Sequence, residues 1–406
     1  MPSENRFARK QELIIENATA LINKRGVKGM TLHEIAQSVN LNTSSVTHYF
    51  RLKEHLAAAV FEQTLDRLAG MVREAAGEPD PRGRASRYLD LHFDLHRKVL
   101  RGEDRGIAIL SDIRALEDTI RVPLEAQYRA LFRGIRRLFG EATDERQHAA
   151  LSARAHVLME VTFWLPAWIG NYSLGDFDRT KARLFDILSE GIAPVDAVWA
   201  PTMLASLDDR ADNFPETGRS AFLKVATRLI NDLGYRGASV DRIVAELNVT
   251  KGAFYHHLDA KDDLILECFR RSYRRVSRAQ RLANEVGGDQ WQRLSSTIAT
   301  LLGVQFQGDW PLLRTTALQA LPPEVRTDVV GRSNRMALRF AGMISDGSRE
   351  GSIRSVDPLI ASQVVMAMLN AANDLRRWAE RRPHDEAIAI YASTLSNGLF
   401  DGNVLR

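Results

Sequence analysis

Two short stretches of this chain concentrate side chains able to recognise a polar surface: Asn42-Thr43-Ser44-Ser45-Val46-Thr47-His48-Tyr49 and Thr250-Lys251-Gly252-Ala253-Phe254-Tyr255-His256-His257. Each sets hydroxyl, imidazole or ammonium groups around one apolar position. This is hydrogen-bonding chemistry rather than bond-breaking chemistry, suited to base edges in a duplex groove and to the phosphates beside them. Nothing comparable exists for catalysis: there is no glycine-rich nucleotide loop, no nucleophile elbow and no HExxH, so no enzyme is expected. His92 and His96 stand at the i, i+4 spacing of a metal chelate, but no third ligand follows a clear pattern, and neither metal nor cofactor is expected.

Both stretches belong to a repeat. Residues 18–61 recur without a gap at 226–269, pairing Asn23 with Asn231, Gly26 with Gly234, Gly29 with Gly237, Asn40 with Asn248, His48 with His256 and Lys53 with Lys261. A period of this length is too large for a solenoid and means duplicated domains. The 406 residues also exceed what one hydrophobic core usually serves, so two units of similar size are expected.

Composition bounds the class. A formal charge of +4 is small beside 55 basic and 51 acidic residues, so it permits a polyanionic partner without requiring one. Its distribution says more: residues 216–281 carry 13 basic against 8 acidic side chains and residues 4–67 carry 9 against 7, making the second module the more basic. The single cysteine, Cys268, excludes an intramolecular disulfide framework and fits a reducing compartment; its place beside Leu264 and Ile265 suggests a buried structural thiol. The start MPSENRFARK lacks a signal peptide's apolar stretch, and the most apolar segment, 157–169, is broken by Glu160 and Pro166. A cytoplasmic protein without a membrane span is expected.

The elements that must position the two polar stretches follow from periodicity. Ile14, Ala18, Leu21 and Ile22 mark a helix ending at Gly26, and Thr31 with Glu34 forms a capping box for a short second helix. Ser239 takes the same cap position in the second copy without the glutamate. A turn at Asn40 and Leu41 leads to a short third helix whose Phe50, or Leu258, faces back toward Ile35, or Ile243; a longer helix opens at Lys53, or Lys261. A short helix, a tight turn and a second short helix constitute a helix-turn-helix, whose last helix can enter a major groove. Beyond the modules, helices are expected at 84–100, 105–120, 123–139, 145–172 and 177–192, then at 289–307, 310–320, 323–350, 357–381 and 384–399, with no sheet. The fold class is therefore all-α, divided as 1–56, 57–194, a linker at 195–215, 216–264 and 265–406.

Both copies resemble the DNA-binding domain of the TetR family of transcriptional regulators, since VTHYFRLKEHL and AFYHHLDAKDDL match its aromatic-His-aromatic-then-Lys signature. The resemblance extends to the second half's end, where Gly351-Ser352-Ile353-Arg354 leads into Asp357-Pro358 and on to Gly398-Leu399. It implies a helical effector-binding and dimerisation domain after each DNA-binding domain. It points to Thr31 and Ser239 as phosphate contacts at helix N-termini, with Lys53 and Lys261 doing likewise from the fourth helix. The DNA-reading candidates are Thr43, Ser44, Ser45, Thr47, His48 and Tyr49 in one copy and Thr250, Lys251, Gly252, Tyr255, His256 and His257 in the other. Thr43, Ser44, Ser45 and Thr47 become Lys251, Gly252, Ala253 and Tyr255, so the half-sites are expected to differ. Effector-binding candidates are Phe93, His96, Met159 and Phe163 in the first half and Trp310, Phe340, Met343, Met366, Asn370 and Asn373 in the second, the asparagines as polar groups able to orient a ligand.

Family members dimerise through their last two helices, and this chain owns both partners. Helices near 145–172 and 177–192 are expected to pack on those near 357–381 and 384–399 as an intramolecular pseudo-dimer; a further homodimer with four heads is the rival. Double-stranded DNA and a small hydrophobic or amphipathic effector are the expected partners, and a ligand-released repressor the leading function. The alternatives are an activator or architectural DNA binder without a ligand, and a helical carrier or enzyme that has lost DNA binding.

Overall fold

Asparagine and glycine at matching places set the frame of each half in the computed structural model, which describes residues 2–205, 207, 218–258, 260–307, 310–321 and 323–401. The first head comprises α1 (Pro2–Gly29), α2 (Leu32–Ser38), α3 (Thr43–Tyr49) and the start of α4 (Lys53–Ala75). Its body follows with α5 (Pro81–Leu100), a 3₁₀ turn at Leu110–Ala115, α6 (Asp118–Arg137), α7 (Glu145–Trp168) and α8 (Phe177–Glu190). The second head comprises α9 (Arg219–Gly237), α10 (Val240–Glu246), α11 (Lys251–His257) and α12 (Lys261–Leu282). Its body has α13 (Gln290–Gln307), a 3₁₀ turn at Thr315–Ala320, α14 (Pro323–Glu350), α15 (Pro358–Ala371), a 3₁₀ turn at Ala372–Leu375, α16 (Arg376–Ala379) and α17 (His384–Ser396). No strand occurs among the described residues.

Gly26 (φ 68°, ψ 171°) and Gly234 (φ 72°, ψ 167°) bend α1 and α9 at the same place, in a backbone region essentially reserved for glycine. Asn40 (φ 54°) and Asn248 (φ 53°) take left-handed conformations in the turn between the two short helices, which asparagine tolerates better than most residues. Side-chain caps then start the helices: Thr31 accepts from the Glu34 amide, Asn42 from Ser45, Ser239 from Arg242 and Thr250 from Ala253. Val46 and Phe254 are fully buried beneath the reading helices, and Phe50 and Leu258 close the cores behind them.

The two segments expected as helices at 105–120 and 310–320 each begin with irregular backbone, at 105–109 and 311–314, and continue only as 3₁₀ turns at Leu110–Ala115 and Thr315–Ala320, with α6 starting at Asp118. Gly106 adopts positive φ in the first, and in both an asparagine from the head takes the place of helical hydrogen bonding. Asn23 donates to Ile107 O (2.9 Å) and accepts from the Ile109 amide (2.8 Å), while Asn231 donates to Leu312 O (2.9 Å) and accepts from the Arg314 amide (3.0 Å). The duplicated asparagine is thus a clamp that ties each head to its own body. The segments also cross over, since Leu110–Ala115 packs on α9 and Thr315–Ala320 on α1.

The two bodies meet through α7 and α8, which lie against α15 and α17. Their contact is reciprocal. The Ile192 amide donates to Leu395 O (2.9 Å), and, each 207 residues on, the Leu399 amide donates to Leu188 O (2.7 Å). Gly191 (φ 68°) and Gly398 (φ 84°) end α8 and α17 so close to the opposite half that an added Cβ would lie 2.1 Å from Ser396 O in one case and 2.2 Å from Ser189 O in the other. Such i-to-j, j-to-i contacts are the signature of an isologous interface.

Two elements depart from the sequence-based expectation. The helix foreseen at 357–381 breaks at Ala372–Leu375, where Asp374 turns toward two arginines of other segments. The segment foreseen as a linker at 195–215 is docked over its first part: Trp199 packs at 6.1 Å on Trp291, and the Thr202 and Leu204 amides donate to Ser296 and Thr300 of α13. Residues 208–215 lie outside the described ones. One core runs through the first head and both bodies, whereas the second head closes a core of its own with Leu313, Leu318, Leu321 and Val329. Cys268 sits within that second core, 1% exposed, and burial pushes its thiol pKa up to about 12.

Candidate DNA-reading surface and effector cavity

The two reading helices expose different chemistry from the same backbone. On α3, Ser44 and His48 are exposed, and Thr43, Ser45 and Thr47 are half-buried. Local hydrogen bonds already hold part of this set: the Ser44 hydroxyl donates to Asn42 Oδ1 (2.9 Å) and that of Thr47 to Ser44 O (2.9 Å). Tyr49 packs 4.5 Å from Phe7 of α1. On α11, Lys251, Gly252, Tyr255 and His256 are exposed, and the Lys251 ammonium pairs with Asp241 at 2.7 Å. A Cβ on Gly252 would meet only the Thr250 hydroxyl at 3.6 Å, so the chain's own packing does not demand glycine there. The His257 side chain lies outside the described residues.

Several candidates are placed to hold helices rather than to project from them. Thr250, expected to read DNA, is the N-cap of α11, and its counterpart Asn42 caps α3. Thr31 both accepts from the Glu34 amide and donates to the Glu34 carboxylate (3.0 Å), while Ser239 caps α10 without an acidic partner. Lys53 opens α4 half-buried. Lys261 turns inward: its ammonium donates to Tyr235 O and lies 4.0 Å from the centre of that ring, a cation–π contact.

A cavity of about 830 Å³ opens inside the first body and reaches both heads. Leu68, Tyr88, Leu131, Met159 and Phe163 supply apolar wall from the body, while Gly26 and Gly29 of α1 and Ile230 and Gly234 of α9 close the end nearest the heads. That size and lining suit a drug-sized molecule. His92 on its wall is 2% exposed, and neither ring nitrogen has a partner among the described residues. Burial, then the neighbouring His96, pulls its pKa down to about 3, so the imidazole is neutral.

Arg114 and Arg314 also line the cavity and share one carboxylate, Asp374, with Arg114 at 3.0 Å. Burial alone would raise the Asp374 pKa, but Arg314 and Arg114 outweigh it and hold the carboxyl below its ordinary value. Glu160, His156 and Asp374 place their ligand atoms within 4.8 Å of one another, as a metal-binding set would. The two guanidiniums already neutralise Asp374, and burial followed by the Asp374 charge lifts the Glu160 pKa to about 7. The His156 pKa falls to about 4 through burial, and its Nδ1 lies 3.1 Å from the Tyr391 hydroxyl.

Of the effector candidates, Met159 and Phe163 reach the cavity wall. Phe93 packs edge-on against Phe177 in the core, and His96, buried on the same helix, does not line the cavity. Trp310 lies under the Arg271 guanidinium at 3.1 Å; Phe340, Met366 and Asn373 are buried in the second body, with Met343 and Asn370 partly so, all away from the cavity. Tyr88, Arg114, Tyr128 and Arg314 escaped the sequence analysis. Glu160 left a signal there, as a carboxylate interrupting the most apolar segment of the chain.

Comparison with known proteins bears on this arrangement. Residues 14–60 and 222–268 each match the family described as bacterial regulatory proteins, tetR family, and residues 287–382 match the tetracyclin repressor-like C-terminal domain. The probable HTH-type transcriptional regulator YttP of Bacillus subtilis (strain 168) is 28% identical over 113 residues, covering 25% of this chain and 53% of that protein. The HTH-type transcriptional regulator BetI of Burkholderia ambifaria (strain MC40-6) is 31% identical over 96 residues, covering 23% and 50%. The chain thus spans about half the length of the curated relatives it matches. Among solved structures, AibR in complex with isovaleryl coenzyme A and operator DNA aligns at 24% identity over 44% of this chain and 98% of that one, with a TM-score of 0.36. With the family's N-terminal module present twice in register and a repressor-like C-terminal domain after the second copy, the chain belongs to the TetR family of transcriptional regulators in a tandem arrangement.

Proposed function

We propose that the chain is a ligand-responsive repressor that works as an intramolecular pseudo-dimer, with the 1–56 and 216–264 heads on successive half-sites of one operator and the 57–194 and 265–406 bodies joined through α7, α8, α15 and α17. The observation that carries this reading is the cavity, which is bounded by the first body and by the first helices of both heads. A molecule seated there favours one relative placement of α1 and α9, and so shifts the population toward or away from the spacing that fits two major grooves about 34 Å apart. Because the two heads share one polypeptide, engaging one half-site raises the effective concentration of the other head.

The operator is asymmetric in this reading. Lys251 and Tyr255 present an ammonium and a phenol where the first head presents the hydroxyls of Thr43 and Thr47, and these groups favour different base edges. Action on DNA places the protein in the cytoplasm, and no helix among the described residues is long and apolar enough to cross a membrane.

The test is fluorescence anisotropy with DNA from upstream of the protein's own gene, followed by footprinting. Expected are binding that weakens steeply with salt, discrimination over random DNA, unequal protection of two arms and a light-scattering mass near 45.6 kDa for the free chain. A perfect palindrome protected equally on both arms would remove the asymmetry. A mass of about twice that value at low concentration would replace the pseudo-dimer with a four-headed assembly.

A further inference from the structure

The charges around the cavity indicate what kind of molecule it takes. Two guanidiniums, Arg114 and Arg314, face it and share the single carboxylate of Asp374. Arg314 is deeply set, its side chain only 11% exposed. The next carboxylate, Glu160, has a pKa near 7 and is only partly ionised at neutral pH, so this end of the cavity keeps an uncompensated positive charge. Glu125 on the wall is held between two other arginines, Arg121 at 2.6 Å and Arg129 at 3.7 Å, and so does not offset the charge of Arg114 and Arg314. The apolar side chains lie on the remaining wall, and the neutral His92 imidazole stands among them with no partner among the described residues.

We infer that the effector is an amphipathic acid, whose anionic group docks between Arg114 and Arg314 while its apolar body lies along Tyr88, Leu131, Met159 and Phe163. The inference rests on the cavity being the effector site. His92, buried on that wall with neither ring nitrogen partnered among the described residues, offers a hydrogen bond to an uncharged polar atom of the ligand. The same arginines give the acid a route to the second head. The Arg114 guanidinium donates to Asn231 O at 2.8 Å, and the backbone amide of Arg314 donates to Asn231 Oδ1 at 3.0 Å, so both arginines are tied to α9, Arg114 through its side chain and Arg314 through its backbone. An anion competing with Asp374 for these guanidiniums draws Arg114 away from the Asn231 carbonyl and loosens α9 against the body.

The test uses two fluorescent probes with one aromatic frame: 1-anilinonaphthalene-8-sulfonate, an anion, and N-phenyl-1-naphthylamine, which lacks the sulfonate. With the full chain at pH 7, the anion should bind at least about tenfold more tightly, because it alone pairs with the buried guanidiniums. The R114Q/R314Q variant should lose about tenfold in affinity for the anion and stay within about twofold for the neutral probe, whose binding also reports that the cavity remains folded. Decanoate should displace the anionic probe from the unaltered protein and decanol should not, a readout that needs no variant. Equal affinity for the two probes, or an anion preference that survives in R114Q/R314Q, overturns the acid while leaving the cavity as a ligand site. Failure of both probes to bind overturns the effector-site reading and the acid with it.

Discussion

The first and second halves keep the same backbone at the same places and differ most where side chains face outward from α3 and α11 or line the cavity. Gly26 and Gly234, Asn40 and Asn248, and the clamps of Asn23 and Asn231 recur because each answers a backbone conformation or a pair of buried amides that few other residues satisfy. The exposed surfaces of α3 and α11 make only local or solvent-exposed contacts, such as Ser44 with Asn42 and Lys251 with Asp241, and packing constrains them less. They have diverged to hydroxyls in one and to Lys251, Gly252 and Tyr255 in the other. The bodies differ too: α7 runs unbroken for 24 residues beside the cavity, while its counterpart breaks at Ala372–Leu375 to bring Asp374 to Arg114 and Arg314. Duplication preserved what folding requires and freed the rest, so one chain has two chemically unequal helix surfaces and a shared polar centre between its halves.

The most damaging way to break that comparison is at the reciprocal glycines. Gly191→Ala and Gly398→Ala each place a Cβ about 2 Å from a carbonyl of the opposite half and strain a positive-φ residue. Each should cost about 2–4 kcal/mol in urea unfolding. If the interface is truly two-fold, the two losses should agree within about 1 kcal/mol and the double variant should be less than additive, since both act on one contact. Only one variant being damaging would show that the halves do not meet symmetrically.

The asparagine clamps come next and should behave unequally. Asn231 is 2% exposed, and Asn231→Ala strands the Leu312 carbonyl and the Arg314 amide without water, for a loss of about 2–3 kcal/mol. Asn23 is only half-buried, and Asn23→Ala should cost about 1 kcal/mol because solvent replaces part of what is lost. N231A should also alter effector response while N23A should not, measured as ligand-induced change in DNA affinity.

How much of this was legible in the sequence follows from which interactions are local. Helix starts at Lys53, Lys261, Glu145 and Pro323 were readable because the apolar spacing that marks them, and for Glu145 the Asp144 cap, lie within a few residues. The segments 105–120 and 310–320 carry helix-like apolar spacing, yet an asparagine more than 80 residues away holds the irregular backbone at their starts. The break at Ala372–Leu375 contains neither glycine nor proline, and only Arg114 and Arg314, 260 and 60 positions upstream in sequence, make sense of it. The cavity's charged end was invisible for the same reason: Arg114, Glu160, Arg314 and Asp374 come from four separate segments. The reading surface was visible in outline, but Asn42 and Thr250 as caps and Lys261 as a partner of Tyr235 emerged only once the backbone was in place.

Divergence of the readers is open to a direct exchange. Lys251→Thr with Tyr255→Thr gives the second head hydroxyls like those of Thr43 and Thr47. Selection from random DNA should then return arms more alike than those of the unaltered protein, with about 1–3 kcal/mol of preference lost at the base pairs contacted by Lys251. An unchanged selected site would mean that neither side chain reads DNA.

The smallest effect lies at the caps of α2 and α10, where the two heads differ by one carboxylate. Thr31 caps α2 and donates back to Glu34, which also pairs with Arg25 at 2.7 Å; Ser239 caps α10 with Arg242 in the place of that glutamate. Thr31→Ala should lower the local stability of α2 by about 1 kcal/mol, and Ser239→Ala that of α10 by about 0.5 kcal/mol, read as opening free energies from amide hydrogen exchange. The hydrogen bond from Thr31, helped by Arg25, lowers the Glu34 pKa from its ordinary 4.5. A depressed folded-state pKa means the contribution is present above that value and disappears as pH falls through the folded pKa. The gap between the two variants should therefore persist at pH 7 and close below pH 4.5 as Glu34 takes up its proton, whereas the Ser239 cap, with no carboxylate to titrate, should hold its value across the same range. A gap independent of pH would assign the difference to threonine and serine themselves rather than to the carboxylate that only the first head retains.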